Sequence, residues 1–221
     1  MKKLTFLVVS IIMLLSVSTS AFAVATGEGA VRLETSTSNY YGVAGYITIP
    51  SNLVVSNDGS YVAFYLGLDN KCEGGISYRP HTGWNKFLKC GQADTEPEST
   101  KTTPLANQPV AGDQINIKVV NNLNNTASLY INGVEAYTLP VGKSKGTLYS
   151  STKVKMVHST HDNQDKNSYK NAKFTSVQVK NANGTYTNFP TNVNPTYPWG
   201  VGDYTVHSTN PIATSLKAGK S

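Results

Sequence analysis

Apolar and polar side chains alternate with a period of two along most of this chain. Val31, Leu33 and Thr35 alternate with Arg32 and Glu34. Val43, Gly45, Ile47 and Ile49 alternate with Ala44, Tyr46 and Thr48 until Pro50 stops the run. Val62, Phe64, Leu66 and Leu68 share one face of the next segment, with Tyr61 and Tyr65 on the other. Ile115, Ile117 and Val119 alternate with Gln114, Asn116 and Lys118. Leu129 and Ile131 then lead into Asn132-Gly133, a favoured hairpin turn because both residues tolerate positive φ, and 134–139 returns. Val154 with Met156, and Phe174 with Val177 and Val179, complete the series; the slip of phase after Phe174 predicts a bulge.

Segments of this kind are half-buried strands, and their apolar faces must meet a second layer. No amphipathic helix offers one, so two sheets packed face to face are the economical solution, with a closed barrel as runner-up. The expectation is an all-β, two-sheet antiparallel jelly-roll-like sandwich of about ten to twelve short strands. Two stretches break the pattern. Residues 92–112 carry Pro97, Pro104 and Pro109 and read as a long loop. Residues 191–221 read as a Pro/Asn/Gly-rich tail with one strand over 203–207 and mobile final residues, which leaves 24–190 as the sandwich domain.

Cys72 and Cys90 are the only cysteines. The segment between them is symmetric about His81, in the turn Pro80-His81-Thr82-Gly83. A hairpin folded there places Cys72 opposite Cys90 and Tyr78 opposite Trp84, at the Cβ separation a disulfide requires. One face then collects Cys72, Ile76, Tyr78, Trp84, Leu88 and Cys90 as core. The other presents Ser77, Arg79, Asn85, Phe87 and Lys89 to solvent.

The first residues change the compartment. Lys2 and Lys3, an apolar run over 4–15 and Ala21-Phe22-Ala23 make an export signal over 1–23, too short for a bilayer span of about 20 residues. The protein is expected to be secreted, where disulfides persist, and no later stretch is apolar and long enough to span a membrane. Losing Lys2 and Lys3 from 19 basic residues leaves 17 against 13 acidic ones, a formal +4. That favours anionic surfaces only mildly, and no nucleic-acid-binding signature accompanies it. With 14% charged residues and 13 tyrosines, the composition suits strands and turns rather than helix surfaces.

Candidate chemistry is sparse. Gly142-Lys143-Ser144-Lys145-Gly146 matches G-x-S-x-G, yet no helix pattern follows, so it reads as a basic loop. His158, His161, Asp162 and Asp165 cluster, and Asp162, Asn163 and Asp165 offer oxygen ligands to calcium; the spacing fits no known metal loop, so a solvated loop is preferred and no cofactor or metal is assigned. Glu96, Glu98 and Glu135 are the carboxylates a hydrolase of glycan or peptide would use, without the rigidity that acid–base chemistry wants. Gln92 with Glu135 is similar in kind to the Gln/Glu pair of the glutamic peptidases, with no supporting motif around either. The positive signal is a set of outward aromatics, Tyr46, Tyr61, Tyr65, Phe87 and Tyr130, beside Arg79, Asn85, Asn116 and Gln114, with Trp199 joining from the tail. Rings that stack on sugar C–H faces beside amide and guanidinium groups suit a glycan.

The run Ala111-Gly112-Asp113-Gln114-Ile115 through Ser128-Leu129-Tyr130-Ile131-Asn132-Gly133 resembles the central hairpin of the concanavalin A-like lectin/glucanase superfamily. Ala172-Lys173-Phe174 through Val177-Gln178-Val179 resembles its last strand. The resemblance covers about half the chain after the signal and implies a jelly roll with glycan binding on the concave face or rim loops. The chain departs from it in lacking the E-x-D-x-x-E glucanase signature and a lectin calcium loop. The signal, the length and Ser38-Asn39-Tyr40-Tyr41-Gly42-Val43 also look like YrpD-type secreted Bacillus proteins, which implies localisation and fold but no chemistry. The resulting expectation is non-catalytic binding of extracellular or cell-wall polysaccharide. A secreted hydrolase, or a structural matrix or spore-associated protein, is the alternative.

Overall fold

The computed structural model describes residues 28–199 and 203–217; the export signal expected over 1–23 lies outside them. The period-two segments form strands, and the strands form two antiparallel sheets. The smaller sheet has six: β1 (Glu28–Glu34), β4 (Tyr61–Leu68), β5 (Cys72–Arg79), β6 (Gly83–Lys89), β7 (Thr100–Pro104) and β11 (Val154–His161), in the order β1-β11-β4-β5-β6-β7. The larger runs β10-β9-β8-β2-β12-β15-β14, built from β2 (Gly42–Thr48), β8 (Gln114–Asn121), β9 (Thr126–Ile131), β10 (Val134–Pro140), β12 (Ser168–Lys180), β14 (Tyr204–Thr209) and β15 (Ile212–Leu216). Two short strands, β3 (Ser51–Val54) and β13 (Tyr186–Asn188), pair with β12.

The inward residues are those the alternation selects. Leu33, Phe64, Leu66, Ile76, Leu88 and Met156 of the smaller sheet meet Ile47, Ile117, Val119, Leu129 and Phe174 of the larger. The Asn132-Gly133 turn has positive φ at both residues. The expected bulge falls between Thr175 and Gln178 of β12, where Ser176 takes a φ of 49°. Glu73 pairs with Lys89 and Tyr78 with Trp84, so the cysteine hairpin has its expected register, and Cys72 and Cys90 are joined. That bond fits an oxidising environment. Among the described residues no helix is long and apolar enough to cross a membrane.

Three segments differ from expectation. Thr100–Pro104, read as loop, is the edge strand β7 and pairs on one side only, with β6. An edge strand needs no apolar alternation, and its threonines favour extended backbone. Ser51–Val54 is a second unpredicted strand, with no fully buried side chain. The tail holds two strands rather than one: β14 and β15 form a hairpin that extends the larger sheet, burying Ile212, Thr214 and Leu216. Thr214 Oγ1 there meets the Tyr169 hydroxyl and Nδ1 of His158, which lies wholly buried between Phe64 and Phe174.

Candidate functional site

On the outward face of the six-stranded sheet, strand register aligns side chains in rows across the strands. One row is Glu28, His161 and Tyr61, with Arg79 beyond. The next holds small residues, Ala30, Ser159, Ala63 and Ser77, and ends on Asn85. A third is Arg32, Val157, Tyr65, Gly75 and Phe87. The fourth is Glu34, Lys155, Gly67, Glu73 and Lys89. Small side chains between larger rows make a trough, and a groove of about 870 Å³ follows it.

Each wall is fixed by its own contacts. His161 Nδ1 bonds the Glu28 carboxylate, its ring stacks on Tyr61 at 5.4 Å, and the Arg79 guanidinium sits 4.5 Å over the same tyrosine. Opposite, Tyr65 and Phe87 meet edge to face at 5.8 Å. Gly75 lies between them in the register, and a Cβ there would strike the Phe64 carbonyl and the Tyr65 backbone. Tyr65, Ala30, Ala63 and Val157 form a small apolar cluster of their own beneath the groove. Burial above all, and then the Glu73 carboxylate, push the Tyr65 phenol well above the usual tyrosine range. Burial, with Glu28 after it, also raises Tyr61, which Arg79 opposes.

Gly67 has a separate task. Lys155 reaches from β11 across β4 to bond Glu73 on β5, Nζ to Oε1 at 2.6 Å, and it passes over the one residue in that row without a side chain. A Cβ on Gly67 would lie 2.7 Å from Lys155 Cε and 3.0 Å from the Cys72 carbonyl. Gly67→Ala is therefore expected to displace the lysine and cost about 1–2 kcal/mol. Denaturant titration checks this, and in a Lys155→Ala background much of the cost should vanish.

The far rim comes from the chain after β13. Thr196 exchanges both backbone hydrogen bonds with Arg32, and its hydroxyl accepts from Arg32 Nε at 3.1 Å. This bridge carries Pro198 and Trp199 to the groove, where Trp199 is 44% exposed.

Of the residues singled out from the sequence, Tyr61, Tyr65, Arg79, Phe87 and Trp199 line this groove. Tyr46 and Tyr130 do not: they lie on the nine-stranded sheet, where Tyr46 pairs with Asn116 and Tyr130 packs under Lys118. Outward parity says which face of a strand is open, not which sheet the strand joins. Asn85 is on the right face but nearly buried, and its Nδ2 donates to Thr82 Oγ1 and the Gly83 carbonyl to close the turn. Sequence reading passed over Glu28, Arg32, Glu73 and Lys155, although parity sets each of them outward.

Of the candidate carboxylates, Glu96 and Glu135 are occupied elsewhere, and Glu98 is exposed on the Pro97–Ser99 turn, outside the groove lining. Glu96 accepts from the Ser144 amide and hydroxyl and from the Gln92 amide, the Ser144 hydroxyl contributing most to holding its carboxyl below the usual range. The G-x-S-x-G string is thus pinned as a 3-10 turn. Glu135 accepts from Tyr130 and Thr138. Gln92 cannot meet it. Gly142, next to the Cys90 carbonyl, and Glu135 stand seven residues apart along β10 and its extension, roughly 23 Å at strand rise.

Within the groove the carboxylates are Glu28 and Glu73. They sit three strands and six residues apart, about 24 Å between Cα atoms, far beyond the roughly 5–9.5 Å of a glycosidase pair. The suggested metal cluster disperses too: His158 points inward, His161 outward, and Asp162 takes the amides of Gln164, Lys166 and Asn167. No three His, Cys, Asp or Glu side chains converge among the described residues.

No family model matches the chain, and no curated protein matches its sequence. Among solved structures, scytalido-glutamic peptidase with a transition-state analogue inhibitor is similar at a TM-score of 0.60 and 13% identity, over 87% of this chain and 98% of that one. SCP-B, a member of the eqolisin family of peptidases in complex with the tripeptide Ala-Ile-His, gives 0.56 at 11% identity with the same coverage. Likeness at such identity establishes the sandwich fold alone. A glycoside hydrolase family 16 endo-glucanase from Bacteroides ovatus is similar over 61% of this chain and 66% of its own, with a TM-score of 0.37 that carries no argument.

Proposed function

We propose that the groove on the six-stranded sheet holds an extended polysaccharide chain. The observation that carries this is the convergence of Tyr61, Phe87, Arg79 and Trp199, from three separate parts of the chain, around a floor of alanine and serine. Aromatic faces give sugars a stacking surface, and a shallow open trough admits a chain that continues past both ends. Retention on insoluble wall or plant polysaccharide is the measurement. Tyr61→Ala or Phe87→Ala should weaken it about tenfold, whereas Tyr46→Ala, on the opposite sheet, should leave it unchanged. Equal effects from all three would place binding elsewhere.

A hydrolase of glycan or peptide is the second reading, and one finding favours it over a purely lectin-like use. Two structures that share the fold over nearly their whole length are peptidases, each crystallised with a peptide-like ligand. Such a reading has to begin with Glu73, the groove carboxylate beside Lys155 and near Tyr65. Release of product from glycan or peptide that disappears in Glu73→Gln would establish it.

A further inference from the structure

We propose that this groove selects a polyanionic chain: a polysaccharide whose sugar units carry carboxylates. The inference rests on the groove being the binding site and adds the class of chain that it takes. Five cations line the groove, Arg32, Arg79, Lys89, Lys145 and Lys155, against two carboxylates, Glu28 and Glu73. Both carboxylates already have partners on the sheet: Glu73 is bonded to Lys155 and Glu28 to His161. Every Asp and Glu of the chain lies among the described residues, and those two are the only carboxylate pairs found there. Four groove cations therefore have no carboxylate bonded to them among the described residues, and the five cations of the lining exceed its two carboxylates by three.

The two arginines are held in place by neutral groups. Arg79 lies over the Tyr61 ring, whose other neighbour is the His161 imidazole. Arg32 spends Nε on the Thr196 hydroxyl and keeps its terminal nitrogens free of protein carboxylates. A guanidinium pre-oriented in this way loses little freedom when it takes a carboxylate in bidentate fashion. Arg32 is on β1 and Arg79 on β5, at different rows, about 19 Å apart by strand spacing and rise. One small anion cannot bridge them. A chain with a repeating negative charge can.

The test is calorimetric titration of the protein with an oligogalacturonate, a neutral galacto-oligosaccharide of the same length and poly-glutamate, each at low and near-physiological salt. The oligogalacturonate should bind about tenfold or more tightly than the neutral oligomer, with the advantage shrinking as salt rises. Arg79→Gln and Arg32→Gln should each weaken the oligogalacturonate more than the neutral oligomer, so that the ratio of the two affinities falls towards one. Lys118→Gln, on the other sheet, should leave that ratio unchanged. Equal affinity for charged and neutral sugars overturns the charge selection and leaves the groove reading standing. A preference for poly-glutamate overturns it in favour of an acidic peptide. Binding of none of the three, together with no retention on any glycan, overturns both.

Discussion

At pH 4 the protein should be about 3 kcal/mol less stable than at pH 7, and His158→Leu should remove most of that loss. His158 is wholly buried, and burial alone pushes its imidazole down to about 3 from an ordinary 6.5. The unfolded chain takes up a proton near 6.5, whereas the folded chain resists until about 3. Between those values the unfolded state holds more protons, so stability rises with pH across that window and falls as acid is added. The groups facing His158 are Phe64 on β4, Phe174 on β12 and Thr214 on β15, with the Tyr169 hydroxyl beyond Thr214, and none of them carries charge in this range. Leucine suits the aromatic surroundings, and Thr214 keeps Tyr169 as partner. Glu96 adds a smaller loss of the same sign, because its lowered carboxyl contributes stability only while ionised. Urea titrations between pH 4 and 7 decide the matter: a flat wild-type profile, or an undiminished slope in the leucine variant, would remove His158 from the account.

Replacing both Cys72 and Cys90 by alanine is expected to cost about 3 kcal/mol, the chain-entropy value for a loop of 18 residues. Both sulfurs are fully buried in the main core, so some packing is lost as well. The bridge closes the open end of the β5–β6 hairpin, which carries Glu73, Arg79 and Phe87 into the groove. Polysaccharide retention should therefore weaken at temperatures where the parent protein still holds. Melting curves with and without reductant check both points. A variant as stable as the reduced parent, with the oxidised parent no more stable than either, would mean that the bond contributes nothing.

The architecture was legible because burial leaves a simple trace in a strand. Ile115, Ile117 and Val119 are apolar because they face the other sheet, and the polar residues between them do not. The cysteine hairpin was legible because its register depends on one local turn. The edges were not. Thr100–Pro104 and Ser51–Val54 bury almost nothing, so nothing in their composition separates them from loop. For the site, parity identified the outward aromatics but not their grouping. Tyr46 and Tyr61 look alike in sequence, and only the order of strands places them on opposite sides of the sandwich. The Lys155–Glu73 and His161–Glu28 pairs join residues 82 and 133 positions apart, a distance that no local pattern spans.

β1 pairs with β11, β2 sits between β8 and β12, and β15, ending at Leu216, seats Thr214 against His158 from the far side. A chain emerging from its N-terminus thus carries β1 for most of synthesis with no strand to pair with, and β2 with one side open until β12 follows. The larger sheet is completed only by the final hairpin, and pairings so distant in sequence make folding slow and governed by topology. Throughout that wait its unpaired strands are open to capture by chaperones or by one another.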